Sequence, residues 1–182
     1  HNTPVEQIQA RQPQGLILSG GPTSTYGHDA PTCDPALLNL NIPILGVCYG
    51  MQYLAHHLGG RVDKGIHREY GSVGLQIRDH RDLFKGIPPA LNCWMSHGDL
   101  VLAPPEGFTI TATTANSPVA AMANPEKQIY AVQFHPEVVH TEHGQTMLMN
   151  FTRNICGCEP NWTMDTFIQE TIAQIKEQVG AD

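Results

Sequence analysis

With 182 residues, the chain is long enough for a single core that buries roughly 70% of the surface its unfolded form exposes. Hydrophobic residues make up 41% and charged residues 15% of it, which excludes a disordered or collagen-like polymer. A net charge of −7 with 10 Lys and Arg supplies no sequence-wide field for a polyanion and argues against nucleic acid as the main partner.

The apolar runs at 42–48 and 129–134 fall far short of the roughly 20 residues that a membrane span needs. The start of the chain lacks the basic, apolar and small-residue stretches of a signal peptide, and the five cysteines are odd in number and scattered. A reducing, cytoplasmic setting is expected.

Residues 1–4 read as a turn, and a polar helix candidate follows from Val5 to Gln12. The run Gly15-Leu16-Ile17-Leu18-Ser19 predicts a buried strand that stops at Gly20-Gly21-Pro22. A helical segment is predicted over 35–40, and then a second strand over 42–47, rich in β-branched residues. A tight turn and a helix over 51–58 follow it. Two buried strands separated by a loop and a helical segment imply an α/β unit with a parallel sheet.

The middle of the chain changes character. Val73, Leu75 and Ile77 alternate with polar residues and predict a half-buried strand. Further strands are predicted over 91–95, 108–114, 119–123 and 129–134. The turn residues at 104–107 and 124–127 suit hairpins, so this part reads as antiparallel or mixed. Helices are predicted over 144–155 and 163–179. In the second, Met164, Phe167, Ile168, Ile172, Ile175 and Val179 recur at helical spacing and mark core or interface. Thr163, Asp165 and Thr166 offer capping chemistry at its start.

The most informative segment is Gly46-Val47-Cys48-Tyr49-Gly50, a Gly-x-Cys-x-Gly between an apolar strand and a helix. It has the form of a nucleophile elbow. Such a turn strains its central residue, and the flanking glycines remove β-carbons that would collide as the strand folds back against the helix. The positive end of the following helix and its free N–H groups favour a thiolate and can hold an oxyanion. Cys33, Cys93, Cys156 and Cys158 have no such context and read as inert thiols.

A thiolate nucleophile needs a base that returns a proton to the leaving group, and that base needs an orienting partner. His135-Pro136-Glu137 follows an apolar strand, where residues two apart project to the same side. The combination of Cys48, His135 and Glu137 is far more specific than any member alone. His135, Glu137, His140 and His143 also crowd together, but their spacing matches neither H-E-x-x-H nor H-x-x-E-H. Cys156-Gly157-Cys158 has no second cysteine pair, so no metal is expected. Ser19-Gly20-Gly21-Pro22 lacks a P-loop ending. In a parallel sheet it would lie at the same carboxyl edge as the elbow and could lend a second oxyanion donor beside Tyr49.

Gly46-Val47-Cys48-Tyr49-Gly50-Met51-Gln52 together with His135-Pro136-Glu137 resembles the class I (triad) glutamine amidotransferases, and Ser19-Gly20-Gly21-Pro22 fits their oxyanion strand. Within that family, Trp94-Met95-Ser96-His97-Gly98-Asp99 and the tail at 154–162 are similar to glutaminase domains whose ammonia aminates XMP. The resemblance implies a three-layer α/β fold of flavodoxin-like type: an open, mixed, mostly parallel sheet with flanking helices and a small antiparallel portion. It implies glutamine hydrolysis through a thioester on Cys48, with His135 as acid and base and Glu137 orienting it. Gly21 and Tyr49 would donate backbone N–H groups to the oxyanion, and Gln52, Ser96, His97 and Gly98 would hold the glutamine.

The resemblance further implies an ATP-pyrophosphatase (synthetase) domain as partner, which uses ATP and Mg2+; no cofactor is implied for this chain itself, and no Ser-Gly-Gly-x-Asp-Ser motif is present. Residues 1–158 would be the glutaminase domain without the family's first strand, helix and strand. Residues 159–182 would form a helix leading toward the synthetase domain, so a fragment of a longer protein is expected. The stripe of that helix is available to its own domain, to the synthetase domain or to a second copy in a homo-oligomer. Two alternatives use the same residues differently: a γ-glutamyl or cysteine peptidase of the same fold, and a non-catalytic docking domain.

Overall fold

Four consecutive buried residues, Ile44–Val47, form strand β2 in the parallel half of a seven-stranded sheet. The structure is a computed structural model that describes residues 2–161 and 164–180. Short helix α1 (Val5–Ala10) precedes strand β1 (Leu16–Leu18), which lies parallel to β2 on one side. Strand β7 (Ile129–Val132) lies parallel to it on the other. Helix α2 (Tyr49–His57) follows β2 directly. A strand buried on both faces reads as a continuous apolar run, which is why 42–47 and 129–134 carry no polar alternation until Gln133.

The remaining strands are β3 (Arg61–Ile77), β4 (Ala90–Ala103), β5 (Thr109–Thr113) and β6 (Ala121–Asn124). The sheet order is β1-β2-β7-β6-β5-β3-β4, and every pairing from β7 to β4 is antiparallel. The mixed α/β architecture agrees with the sequence reading, and its antiparallel half is larger than the small portion expected. Successive residues of β7 serve opposite faces. Tyr130 and Val132 join Leu45, Val47, Phe134 and Phe151 in one core, while Ile129 and Ala131 join Ile44, Met51 and Leu54 in the other. Each fully buried Leu or Phe in these layers contributes about 1.5–3 kcal/mol.

Several expectations change in detail. The segment at 35–40 is a 3-10 helix, Pro35–Asn39, capped by Asp34 Oδ1, which accepts from the Ala36 N–H at 2.9 Å. Helix α2 begins two residues earlier than 51, at Tyr49. The turn at 124–127 joins β6 to β7 as a hairpin, but the turn at 104–107 does not pair its neighbours, because β4 and β5 both lie against β3. Strand β4 runs to Ala103, far beyond the predicted end at 95, and carries Ser96–Asp99 within it.

The helix predicted over 144–155 divides into α3 (Gly144–Met149) and a π-helical turn, Asn150–Ile155. Asn150 donates to the carbonyls of Leu83 and Lys85, and Thr152 Oγ1 donates back to the Leu148 carbonyl. Side chains that compete for or divert helical hydrogen bonding widen the turn. Helix α4 (Met164–Val179) leaves its apolar stripe largely exposed, so that stripe is not part of this chain's core. Of its predicted capping residues, Thr163 and the side chains of Asp165 and Thr166 lie outside what is described. Among the described residues, no helix is long and apolar enough to cross a membrane.

Candidate active site

Parallel pairing brings Leu18 level with Gly46, so β1 and β2 end together and the loop 19–22 meets the β2–α2 turn. Cys48 occupies that turn at φ 53° and ψ −107°, a conformation that costs an L-residue about 1–3 kcal/mol. Its backbone is clamped from both sides: the N–H donates to the Val132 carbonyl at 2.8 Å, and the carbonyl accepts from the Gln52 N–H at 3.2 Å. A β-carbon on Gly46 would stand 2.6 Å from Leu54 Cδ1, and Gly50 has no room for one against the Leu18 carbonyl. Both glycines are therefore required by the turn.

The Cys48 thiol reaches the Ser96 carbonyl at 3.7 Å and lies 3.8 Å from Gln133 Nε2. His135 follows β7, with its N–H donating to the Trp94 carbonyl at 3.0 Å. Its Nδ1 is 2.7 Å from Glu137 Oε1. That carboxylate accepts the Nδ1 proton, which leaves Nε2 for chemistry. Nε2 is buried and has no hydrogen-bond partner among the described groups. The Cys48 sulfur beside the ring, against the cost of burial and with help from Glu137, pushes the His135 pKa up to about 9. The three residues expected to act together are together.

Cys48 opens onto a cleft of about 650 Å3 that is also lined by Gly21, Gln52, Ser96, His97 and Gly98, among others. Tyr49 stands at the N-terminus of α2 and, with Gly20 and Gly21, lines an adjoining groove. The first N–H groups of a helix have no intrahelical partner and can meet an anion. Tyr49 spends its hydroxyl on the Pro31 carbonyl at 2.7 Å. Along β4 the alternation exposes Ser96 and buries the His97 side chain.

The buried His97 leads to a residue that sequence reasoning missed. Glu69, fully paired across the sheet with His97, holds its Nε2 at 3.1 Å, and Thr114 and Ser117 donate to the same carboxylate. Burial alone would push the Glu69 pKa up, but the bonds from His97, Ser117 and Thr114 outweigh it and hold the carboxyl below its usual range. Residues 65–68 bulge opposite Gly98 to bring this pair into register. Thr141 was missed as well: its buried hydroxyl accepts from the Trp94 N–H at 3.0 Å and donates to the His135 carbonyl at 2.6 Å.

The other cysteines have quieter settings. Burial pushes the Cys93 thiol up to about 12 and that of Cys156 up to about 11. His140 packs against Trp94, its ring tilted by 35° with centroids 4.7 Å apart. Among the described residues, no three His, Cys, Asp or Glu side chains gather to hold a metal ion.

Comparison with known proteins identifies the family. The family model described as glutamine amidotransferase class-I matches residues 1–155. A GMP synthase [glutamine-hydrolyzing] from Carboxydothermus hydrogenoformans is 54% identical over 182 residues, covering 100% of this chain and 36% of that protein. One from Geobacillus kaustophilus is 51% identical over 180 residues, covering 99% and 35%. The chain thus spans about a third of the length of the curated relatives it matches. Among solved structures, a putative GMP synthase subunit from Thermoplasma acidophilum matches with a TM-score of 0.73 at 33% identity, covering 84% of this chain and 77% of that one. With the strained thiol, its histidine and its carboxylate in that frame, the chain belongs to the class-I glutamine amidotransferase family.

Proposed function

We propose that the chain hydrolyses L-glutamine to glutamate and ammonia, with Cys48 as nucleophile. The observation that carries this reading is the strained Cys48 beside His135, whose other nitrogen is held by Glu137 at 2.7 Å, at the side of an open cleft. The Cys48 sulfur attacks the side-chain amide carbon and forms a C–S bond. Backbone N–H groups of Gly21 and Tyr49 hold the tetrahedral oxyanion. The C–N bond then breaks, and His135 gives its proton to the departing ammonia. Water attacks the thioester as His135 takes its proton; the C–S bond breaks and the thiol is restored.

Gln52, Ser96 and Gly98 line the place for the substrate, while the buried His97 side chain supports it through the Asp99 carbonyl. In this reading residues 1–158 are the glutaminase unit, and residues 159–182 lead toward an ATP-pyrophosphatase domain that uses ATP and Mg2+ to aminate XMP to GMP. Support comes from relatives called GMP synthase that are about three times as long as this chain. The setting is the cytoplasm, where reducing conditions keep a nucleophilic thiol free.

The test is ammonia release from glutamine by the chain alone and with a synthetase domain supplied with XMP and ATP, beside Cys48→Ala. Release that requires Cys48 and rises with the loaded partner supports the reading. No release under either condition from well-folded protein, with turnover of γ-glutamyl peptides instead, would replace it with a peptidase.

A further inference from the structure

Gln133 is fully buried just beyond β7, and its carboxamide lies beneath the nucleophile. A carboxamide can present either its oxygen or its nitrogen, so its orientation has to be read from its neighbours. The Asp99 carbonyl can only accept, so Gln52 turns its NH2 group toward that oxygen at 2.9 Å. The same Gln52 Nε2 is 3.3 Å from Gln133 Oε1. With its oxygen engaged by a donor, Gln133 has its own NH2 left for the Cys48 sulfur, 3.8 Å away. His97 Nδ1, 3.0 Å from the same Asp99 oxygen and backed by Glu69, ties the far end of this relay to the sheet.

We propose that Gln133 is a hydrogen-bond donor to the nucleophile, oriented for that task by Gln52. An N–H group aimed at sulfur favours the thiolate over the thiol, because a charged acceptor binds the donor more strongly. The same bond meets the charge that returns to sulfur when the thioester C–S bond breaks. The other groups at the sulfur are the His135 ring from the segment after β7, with Glu137 behind it, the Ser96 carbonyl from β4, and the N-terminus of α2. Lys64, Arg68 and Asp99 line the cleft in front. Gln133 supplies a fixed donor from below, inside the core, where water cannot compete.

The inference rests on Cys48 being the nucleophile, and its test needs no glutamine. Gln133→Met and Gln133→Glu are made in the whole chain, and alkylation of Cys48 by iodoacetamide is followed against pH by mass spectrometry. Gln133→Met removes the donor at similar volume; alkylation at neutral pH should slow about tenfold, with its midpoint raised by about one pH unit. Gln133→Glu keeps an acceptor for Gln52 but sets a carboxylate against the sulfur, and its midpoint should rise further. Should Gln133→Met not fold, the isosteric Gln133→Glu carries the test with the same readout. A midpoint unchanged in a folded variant overturns the proposal and leaves Gln133 as packing. Normal alkylation without ammonia release would instead count against glutamine hydrolysis.

Discussion

Gly46 and Gly50 meet across the β2–α2 turn so closely that a β-carbon on Gly46 would stand 2.8 Å from the Gly50 carbonyl oxygen. Backbone on one side and Leu54 on the other leave nothing flexible enough to move away. Gly46→Ala should therefore cost about 1–3 kcal/mol in urea unfolding. It should also slow Cys48 alkylation, since the elbow must open to admit the methyl group. A variant as stable as the parent would show that the turn yields easily.

The Cys48 sulfur and Glu137 push the His135 pKa up to about 9, above its unfolded value of about 6.5. A raised histidine pKa stabilises the fold fully below pH 6.5, and that contribution is lost as pH rises through 9. Glu137→Gln removes a charge that holds the imidazolium. The alkaline limb of ammonia release should move to lower pH by roughly one unit or less, because half the Glu137 side chain faces solvent and screens the pair. A pH–rate profile of both proteins checks this, and a limb that stays in place would assign it to another group.

Glu69 behaves with the opposite sign. Its carboxyl is held below the usual range, so its stabilisation is present above the unfolded value of about 4.3 and is lost as pH falls through the folded one. Glu69→Ala strands the buried side chains of His97 and Ser117 and should cost about 3–5 kcal/mol at neutral pH. Glu69→Gln should lose less and flatten the acid limb of stability. Urea midpoints at pH 7 and pH 4 measure both. A rise in KM for glutamine should accompany them, because Ser96–Asp99 rests on this pair.

Thr141 ties the His135 backbone to β4 through one hydroxyl. Thr141→Val keeps the shape and deletes both bonds, at a cost of about 1–3 kcal/mol. Steady-state kinetics should show kcat falling with KM changed less, since His97 and Glu69 still hold Ser96–Asp99 while His135 loses its tie. Equal falls in both would mean that the loop merely frays.

The elbow and the His135–Glu137 pair were legible in the sequence because each is local: two glycines around Cys48, and two polar residues two apart after an apolar strand. The parallel strands were legible for the same reason, as short apolar runs. The long β3–β4 arm was not. Arg61, Asp63, Lys64, His67 and Arg68 in β3 are all exposed, and their charge hides its strand periodicity. Glu69 looked like one more surface charge, and its partners Thr114 and Ser117 arrive from a distant loop. Gln133 did carry a signal, a lone amide in the apolar run at 129–134. Its meaning depends on Gln52 and Asp99, which no spacing connects to it.

The left-handed backbone at Cys48 implies that this chain trades folding free energy for reactivity. Glycine adopts that conformation freely, so Cys48→Gly should raise the melting temperature while abolishing all chemistry at the site. Stability and turnover would then draw on the same dihedral angle, and a screen for thermostable variants would be expected to discard the nucleophile first.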